Sequence, residues 1–182
     1  MNIQYITSSL EDLQSVLASG GRWFRFVPKS DVDVQALQET IARCREQDAV
    51  VIIDDDAALC ETVKADGVHV HQASAALNVR RQLGEEPLIG VEVNGFDEAK
   101  TARLAGADYL EVLQRDEVLQ TNTLRELIIA LYEADYPLPV SVSGQVSPDD
   151  IPTLSAAGVR GIATTDAQFF KKDVWALLDK LS

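Results

Sequence analysis

The feature that most constrains the fold is an eightfold alternation of short apolar runs with runs of helical periodicity. The apolar runs predict strands at residues 3–7, 23–27, 50–53, 68–71, 88–93, 109–113, 140–143 and 161–164. The runs between and after them predict helices at residues 10–18, 32–45, 57–63, 75–83, 97–104, 124–134, 148–156 and 167–181. Eight parallel βαβ units predict an α/β fold of the closed (β/α)8 TIM-barrel type, with an open doubly wound sheet as the alternative.

A weak internal repeat favours the closed barrel. Small residues and a glycine precede every second strand, at residues 19–21, 65–67, 105–108 and 157–160. A glycine in the left-handed conformation ends a helix at such a position, and its recurrence is typical of a fold built from repeated modules. We therefore interpret residues 1–182 as one barrel domain, shorter than the roughly 250 residues that such barrels usually take. The loops after the strands must consequently be short.

Composition limits the kinds of binding partner and the cellular compartment that we expect for this chain. The formal net charge of −13 opposes contact with phosphate backbones, so we expect no nucleic-acid partner and instead a small-molecule ligand. No apolar run approaches the roughly 20 residues of a membrane span, and no leader is recognisable, so we expect no membrane association and a cytoplasmic location. Cys44 and Cys60 fall at apolar positions of helices and are predicted to be buried free thiols. The sequence leaves a homo-oligomer open.

The candidate site lies where the strands end, because barrels of this type carry their chemistry at that end. Our candidate catalytic residues there are Lys29, His71 and Glu92. His69 and His71 should point to one face of their strand. With Glu92 and the aspartate run 54–56, in which Asp55 is the candidate metal ligand, His71 could bind a divalent cation. Alternatively, the aspartate run caps the next helix and His69 belongs to the scaffold.

A second candidate site is a phosphate pocket after the seventh and eighth strands. Its predicted residues are Ser143, Gly144, Thr164 and Thr165, whose hydroxyl and backbone N–H groups could hold a phosphate. Asp166 could instead cap the following helix and exclude an anion. Lys29 could contact a phosphate or a carboxylate, or simply extend into solvent.

Several segments resemble one enzyme family along nearly the whole chain. Residues 65–72, Ala-Asp-Gly-Val-His-Val-His-Gln, resemble the Ala-Asp-Gly-Val-His-Leu-Gly-Gln segment of thiamine-phosphate synthases and of their relatives, the thiazole tautomerases. Residues 51–55, Val-Ile-Ile-Asp-Asp, resemble the family's Ile-Ile-Asn-Asp strand, and further matches lie at 88–91, 97–99, 105–109, 139–140 and 157–163. The resemblance implies a barrel that joins a pyrimidine diphosphate to a thiazole phosphate, with Mg²⁺ held by Asp55.

The positions that carry the family's chemistry depart from this pattern. The Gln-x-Arg-x-Lys motif of the second strand falls on Arg25, Val27 and Lys29, so only the lysine matches. The second Mg²⁺ aspartate falls on Ser74, the serine after the fifth strand is Glu92, and the Thr-x-Thr-Lys loop has no counterpart at residues 113–117. The phosphate-binding Gly-Gly is replaced at residues 143–145 and the Ile-Ser at 164–165.

These departures lead to three functional hypotheses. The first is a divergent barrel of this family that binds a small phosphorylated or heteroaromatic ligand but has lost or changed thiamine-phosphate synthesis. The second is a non-catalytic barrel that acts in binding or assembly. The third is a metal-dependent enzyme that uses His71, Asp55 and Glu92.

Overall fold

The eight predicted strands close into a parallel barrel in which every strand pairs with the next and the last pairs with the first. The structure, a computed structural model, describes residues 1–115 and 120–181. The strands are β1 Asn2–Thr7, β2 Trp23–Phe26, β3 Val50–Asp54, β4 Gly67–Val70, β5 Leu88–Glu92, β6 Tyr109–Gln114, β7 Val140–Gly144 and β8 Gly161–Thr164. The TIM-barrel prediction is therefore confirmed, and the open sheet is excluded.

Within the described residues, eight α-helices surround the barrel and bury their apolar faces against it. They are α1 Leu10–Ala18, α2 Val34–Arg45, α3 Ala57–Val63, α4 Ala76–Leu83, α5 Phe96–Leu104, α6 Thr121–Glu133, α7 Ile151–Ala157 and α8 Lys172–Leu181. Cys44 and Cys60 are buried free thiols, as predicted, and burial raises the pKa of each to about 11. In the described part of the chain, no helix has the length and apolar character that a membrane span requires.

Capping side chains explain where the helices begin, and they correct two predicted boundaries. α2 begins two residues late because Asp33 accepts a hydrogen bond from the Ala36 N–H. The predicted helix 167–181 is divided, because Asp166 caps a 3₁₀ turn at Ala167–Phe170 and Lys171 is extended. Ser147 is the N-cap of a 3₁₀ turn that precedes α7, and its N–H and hydroxyl both donate to the Asp150 carboxylate.

The glycine repeat has the expected role at three of its four positions. Gly20, Gly106 and Gly158 have positive φ angles just after helices. At the fourth position the prediction is wrong, because Lys64 adopts the left-handed conformation and Gly67 lies within β4. A Cβ on Gly67 would lie 2.1 Å from the Leu88 carbonyl oxygen, so the absence of a side chain there lets β4 approach β5.

Polar side chains occupy the interior of the barrel, where branched apolar residues usually dominate. Gln4, Arg25, His69, Glu111 and Ser141 are all buried, and they come from five different strands. The apolar core instead lies between the barrel and its helices. This distribution places the candidate site at one end of a polar interior.

Candidate functional site

A buried arginine connects two sides of the barrel mouth. Arg25 on β2 donates through Nη2 to Oε1 of Glu111 on β6 at 3.0 Å, and its Nε lies 3.7 Å from Oδ1 of Asp54 on β3. The Arg25 and Glu111 side chains are only 4% and 2% exposed. Two carboxylates therefore compensate the buried guanidinium charge, as a buried cation requires.

His71, in the loop after β4, bridges two carboxylates from neighbouring strands. Its Nε2 lies 3.0 Å from Asp54 Oδ2, and its Nδ1 lies 2.9 Å from Glu92 Oε2. Burial lowers the pKa of His71, but the hydrogen bonds to Asp54 and Glu92 outweigh burial and raise it above the ordinary value. Because ionised carboxylates only accept hydrogen bonds, this geometry fits an imidazolium that donates from both nitrogens.

The ionic contacts form one chain across the mouth. It runs from Glu111 through Arg25, Asp54 and His71 to Glu92, whose Oε1 lies 3.8 Å from Nη2 of Arg115. Charges alternate in sign along this chain, so each cationic group lies beside at least one carboxylate. We call these residues the mouth network: Arg25, Asp54, His71, Glu92, Glu111 and Arg115.

A second polar layer lies deeper, centred on the Tyr109 hydroxyl. Gln4 Nε2 donates to this oxygen at 3.4 Å, and His69 Nδ1 lies 3.3 Å from it. Burial and the nearby Arg25 charge hold the pKa of His69 well below its ordinary value, and burial raises the pKa of Tyr109. Both groups are therefore neutral near pH 7. The rings of His69 and His71 lie 5.4 Å apart, which confirms that they share one face of the barrel wall.

The aspartate run after β3 divides its tasks among three residues. Asp54 belongs to the mouth network, and Asp56 caps α3 by accepting from the Leu59 N–H at 2.8 Å, as one of the alternative interpretations predicted. Asp55, the candidate Mg²⁺ ligand, is exposed, has a φ of 50° and makes no ion pair or hydrogen bond through its side chain within the described residues.

The described residues do not form a preassembled metal centre. In the described ranges, no three His, Cys, Asp or Glu side chains are arranged to hold a metal ion. Both nitrogens of His71 already face Asp54 and Glu92, and Asp55 is not part of that cluster. Since Mg²⁺ requires oxygen ligands around an octahedron, a site with Asp55 alone would depend on water and substrate oxygens for the other positions. Of the three residues predicted to form a metal site, His71, Asp55 and Glu92, only His71 and Glu92 are in contact.

Several N–H groups that follow the predicted phosphate-pocket residues have partners within the chain. After β7, the N–H groups of residues 145 and 146 donate to carbonyl oxygens of residues 114 and 144, and the Ser147 N–H donates to Asp150. After β8, Thr164 Oγ1 accepts from the Asp166 N–H, and Asp166 accepts from the Gln168 N–H. Ser143 is buried, while Gly144 and Thr165 are exposed. These contacts leave little of the backbone for an anion, and the pocket stays a prediction.

Lys29 lies in the exposed loop after β2 and makes no ion pair in the part of the chain that the structure describes. Asp116 and Glu117, in the segment where the family's Thr-x-Thr-Lys loop was expected, lie outside the described residues. Of the three candidate catalytic residues, the structure brings together His71 and Glu92, and it leaves Lys29 apart from their contacts.

Comparison with known proteins identifies the family. The family model described as thiamine monophosphate synthase matches residues 4–167. The chain belongs to the thiamine monophosphate synthase family.

Relatives of this family match the chain along almost its full length. A thiamine-phosphate synthase from Bacteroides fragilis strain YCH46 is 30% identical, over 92% of this chain and 91% of its own. One from Phocaeicola vulgatus is also 30% identical, over 95% and 92%. The structure of thiamine phosphate pyrophosphorylase from Pyrococcus furiosus matches with a TM-score of 0.80 at 20% identity, over 99% and 96% of the two chains, and this likeness concerns the fold alone.

Arg25, Glu111 and Arg115 of the mouth network were not predicted as site residues, and Asp54 was considered only as part of the run 54–56. For Arg25, Asp54 and Glu111 the available signal was their spacing: each lies at an inward position of its strand, and a charged residue there needs a partner across the barrel. Which carboxylate pairs with Arg25 depends on barrel closure, which no local pattern gives.

Proposed function

We propose that this member of the thiamine monophosphate synthase family binds a small heteroaromatic ligand at the barrel mouth and does not perform the Mg²⁺-dependent displacement of diphosphate that the family resemblance implies. One observation carries the proposal. Arg25, a buried cation of the mouth that is only 4% exposed, already has its charge balanced by Glu111 at 3.0 Å and Asp54 at 3.7 Å, so a phosphate group would have to compete with two carboxylates for it.

The charge balance of the mouth supports this proposal. A diphosphate carries several negative charges, and its transfer requires cations aimed at the reacting groups. Here, three carboxylates face two arginines and His71, so the mouth network is neutral when His71 is protonated and negative when it is not. Asp55 lies outside this network, and Ser74 stands where the family has its second aspartate. An entering diphosphate would therefore meet a network without net positive charge.

The exposed groups of the mouth favour a flat ligand with N–H donors. The His71 side chain is 45% exposed, and Asp54 and Glu92 beside it are 13% and 16% exposed. A heteroaromatic ring could stack on the imidazolium face while an amino substituent donates to Glu92, whose carboxylate accepts only. The short loops after the strands limit the ligand to about one ring system, because little chain is available to cover a larger one.

Two measurements test the proposal together. The first is a mass-spectrometric assay with pyrimidine diphosphate, thiazole phosphate and Mg²⁺, scored for thiamine phosphate, with the Bacteroides fragilis enzyme as the positive control. We expect product from the control alone. The second is calorimetric titration with the pyrimidine alcohol and with its diphosphate. We expect the alcohol to bind at least as tightly as the diphosphate. Glu92→Gln should weaken the binding of the alcohol.

Each unfavourable outcome has a distinct meaning. Formation of thiamine phosphate by the wild-type chain would refute the loss of synthesis. Tighter binding of the diphosphate than of the alcohol would refute the charge argument. If neither compound binds to folded protein, the alternative of a non-catalytic barrel in binding or assembly is favoured, since the mouth network would then simply fill the mouth.

A further inference from the structure

A cavity lies at the opposite end of the barrel, where the strands begin. It has a volume of about 470 Å³, within the range of small-molecule sites. Its walls come from the first residues of several strands, namely Asn2, Ile3, Val50, Leu88 and Pro139 just before β7. Trp23 and Tyr109 line it as well, and their rings pack edge to face with centroids 5.1 Å apart. An aromatic pair thus separates this cavity from the polar interior.

The two tryptophans of the chain both line this cavity. Trp23 starts β2, and Trp175 on α8 lies against Gly20. Within the described residues, the indole N–H of each is buried and has no acceptor. A buried donor without a partner destabilises the fold, so a ligand that brings an acceptor would remove that cost.

The rim of the cavity carries one uncompensated positive charge. Arg22 donates through Nη1 to the carbonyl oxygens of Leu17 and Gly21, but no carboxylate lies within ion-pair distance of it in the described part of the chain. Asp108, the acidic residue of the rim, is held by Arg80 at 2.7 Å and by the Ile89 N–H. Because Asp108 is paired with Arg80, Arg22 is the arginine of the cavity lining that has no carboxylate partner among the described residues. At physiological ionic strength, exposed charges more than about 8 Å apart are largely screened from each other. The charge of Arg22 therefore acts on a ligand in the cavity more strongly than the distant charges that make up the net charge of −13.

We propose that this cavity is a binding site for a small aromatic carboxylate. The ring lies against Trp23, Tyr109 and Trp175, and the carboxylate faces Arg22. A helix or strand is a poorer occupant, because an eight-stranded barrel is about wide enough for side chains or one small ligand. The proposal is independent of the function proposed for the mouth, since the two sites share none of the residues that would contact their ligands.

The test uses 2-naphthoate and its uncharged analogue 2-naphthamide as matched probes. The readout is the pair of tryptophan indole N–H resonances in a ¹H–¹⁵N NMR spectrum, assigned with Trp175→Phe. We expect both probes to shift both resonances saturably, with 2-naphthoate binding about fivefold more tightly because of one exposed charge contact. Arg22→Gln should abolish this difference and leave 2-naphthamide binding unchanged.

Two further variants locate the site. Val50→Phe fills the cavity and should abolish binding of both probes, whereas Val27→Phe, at the mouth, should leave both affinities unchanged. All variants are first compared with the wild type in thermal unfolding. The proposal is overturned by the absence of saturable shifts, by shifts that persist in Val50→Phe, or by equal affinities of the two probes for the wild type. Indole shifts that depend on protein concentration without a probe would also overturn it, because a second copy would then occupy the cavity.

Discussion

Separating Arg25 from Glu111 should destabilise the chain more than any exposed ion pair does. The two charged atoms lie 3.0 Å apart, and both side chains are almost fully buried. At an effective dielectric constant of about 20, charges at this distance interact by roughly 5 kcal/mol, and burial of both groups offsets much of that attraction. Removing one partner exposes the uncompensated cost of burying the other, which is about 3–5 kcal/mol.

The two single substitutions should not be equal. Arg25→Met leaves the Glu111 carboxylate without its cation, so we expect the free energy of unfolding to fall by about 3–5 kcal/mol. Glu111→Leu leaves Arg25 with Asp54 at 3.7 Å, so the loss should be smaller, about 1–3 kcal/mol. The double variant should be more stable than Arg25→Met alone, because apolar groups of similar size replace both charges.

Urea unfolding of the wild type, both single variants and the double variant measures the coupling free energy as a double-mutant cycle. The control is the same cycle for Arg45 and Asp66, whose pair at 2.9 Å has exposures of 46% and 24%. We expect coupling of at least about 2 kcal/mol for the buried pair and at most about 1 kcal/mol for the exposed pair. Coupling no larger at Arg25 than at Arg45 would refute the burial argument.

Three further predictions follow from the same structure. Because the pKa of His71 is raised in the folded state, its contacts stabilise the fold fully below the unfolded pKa and less as pH rises through the folded pKa. In the wild type the free energy of unfolding should therefore fall as pH rises above about 6.5, and in His71→Gln this fall should be smaller. An unchanged slope in the variant would contradict this. Gly90→Ala should lower Tm, because a Cβ there would lie 2.0 Å from the buried Tyr109 ring, whereas Gly95→Ala, with no atom within 4 Å, should not; equal Tm values would exclude this clash. Mg²⁺ without substrate should leave Tm the same in the wild type and in Asp55→Asn, and a shift lost in the variant would reveal a metal site that we do not expect.

The fold could be predicted from sequence because its determinants are local. Strand positions follow from apolar runs, and the turns follow from glycines such as Gly20 and Gly158 with positive φ angles. The exception is the segment before β4: Lys64 adopts the left-handed conformation, and Gly67 is required by the approach of Leu88 from the next strand. That approach is a tertiary contact, which the local pattern around Gly67 does not predict.

The site was less predictable because its contacts join residues that are distant in sequence. His71 and Glu92 were expected at one end of the barrel, and their contact at 2.9 Å agrees with that expectation. Consecutive side chains of a strand point to opposite faces, so only one of Asp54 and Asp55 can face His71. Sequence alone could not decide which one, because the residue at which the strand ends was not known. Asp54 still belongs to β3 and points inward, whereas Asp55 turns outward with a positive φ.

Restoring the family residue at position 25 provides the last test of this interpretation. Glutamine there would be closer to the family motif, but it would leave Glu111 without a cation inside the barrel. If Arg25, Glu111, Asp54 and His71 act as one unit, Arg25→Gln should lower the free energy of unfolding by about 2–4 kcal/mol and should produce no thiamine phosphate. Urea unfolding and the mass-spectrometric assay measure the two effects, with Gln35→Arg on the exposed face of α2 as a control for added or removed charge. A stable Arg25→Gln variant that makes thiamine phosphate would refute this interpretation. Arg25 alone would then block synthesis in a chain whose other residues can still carry it out.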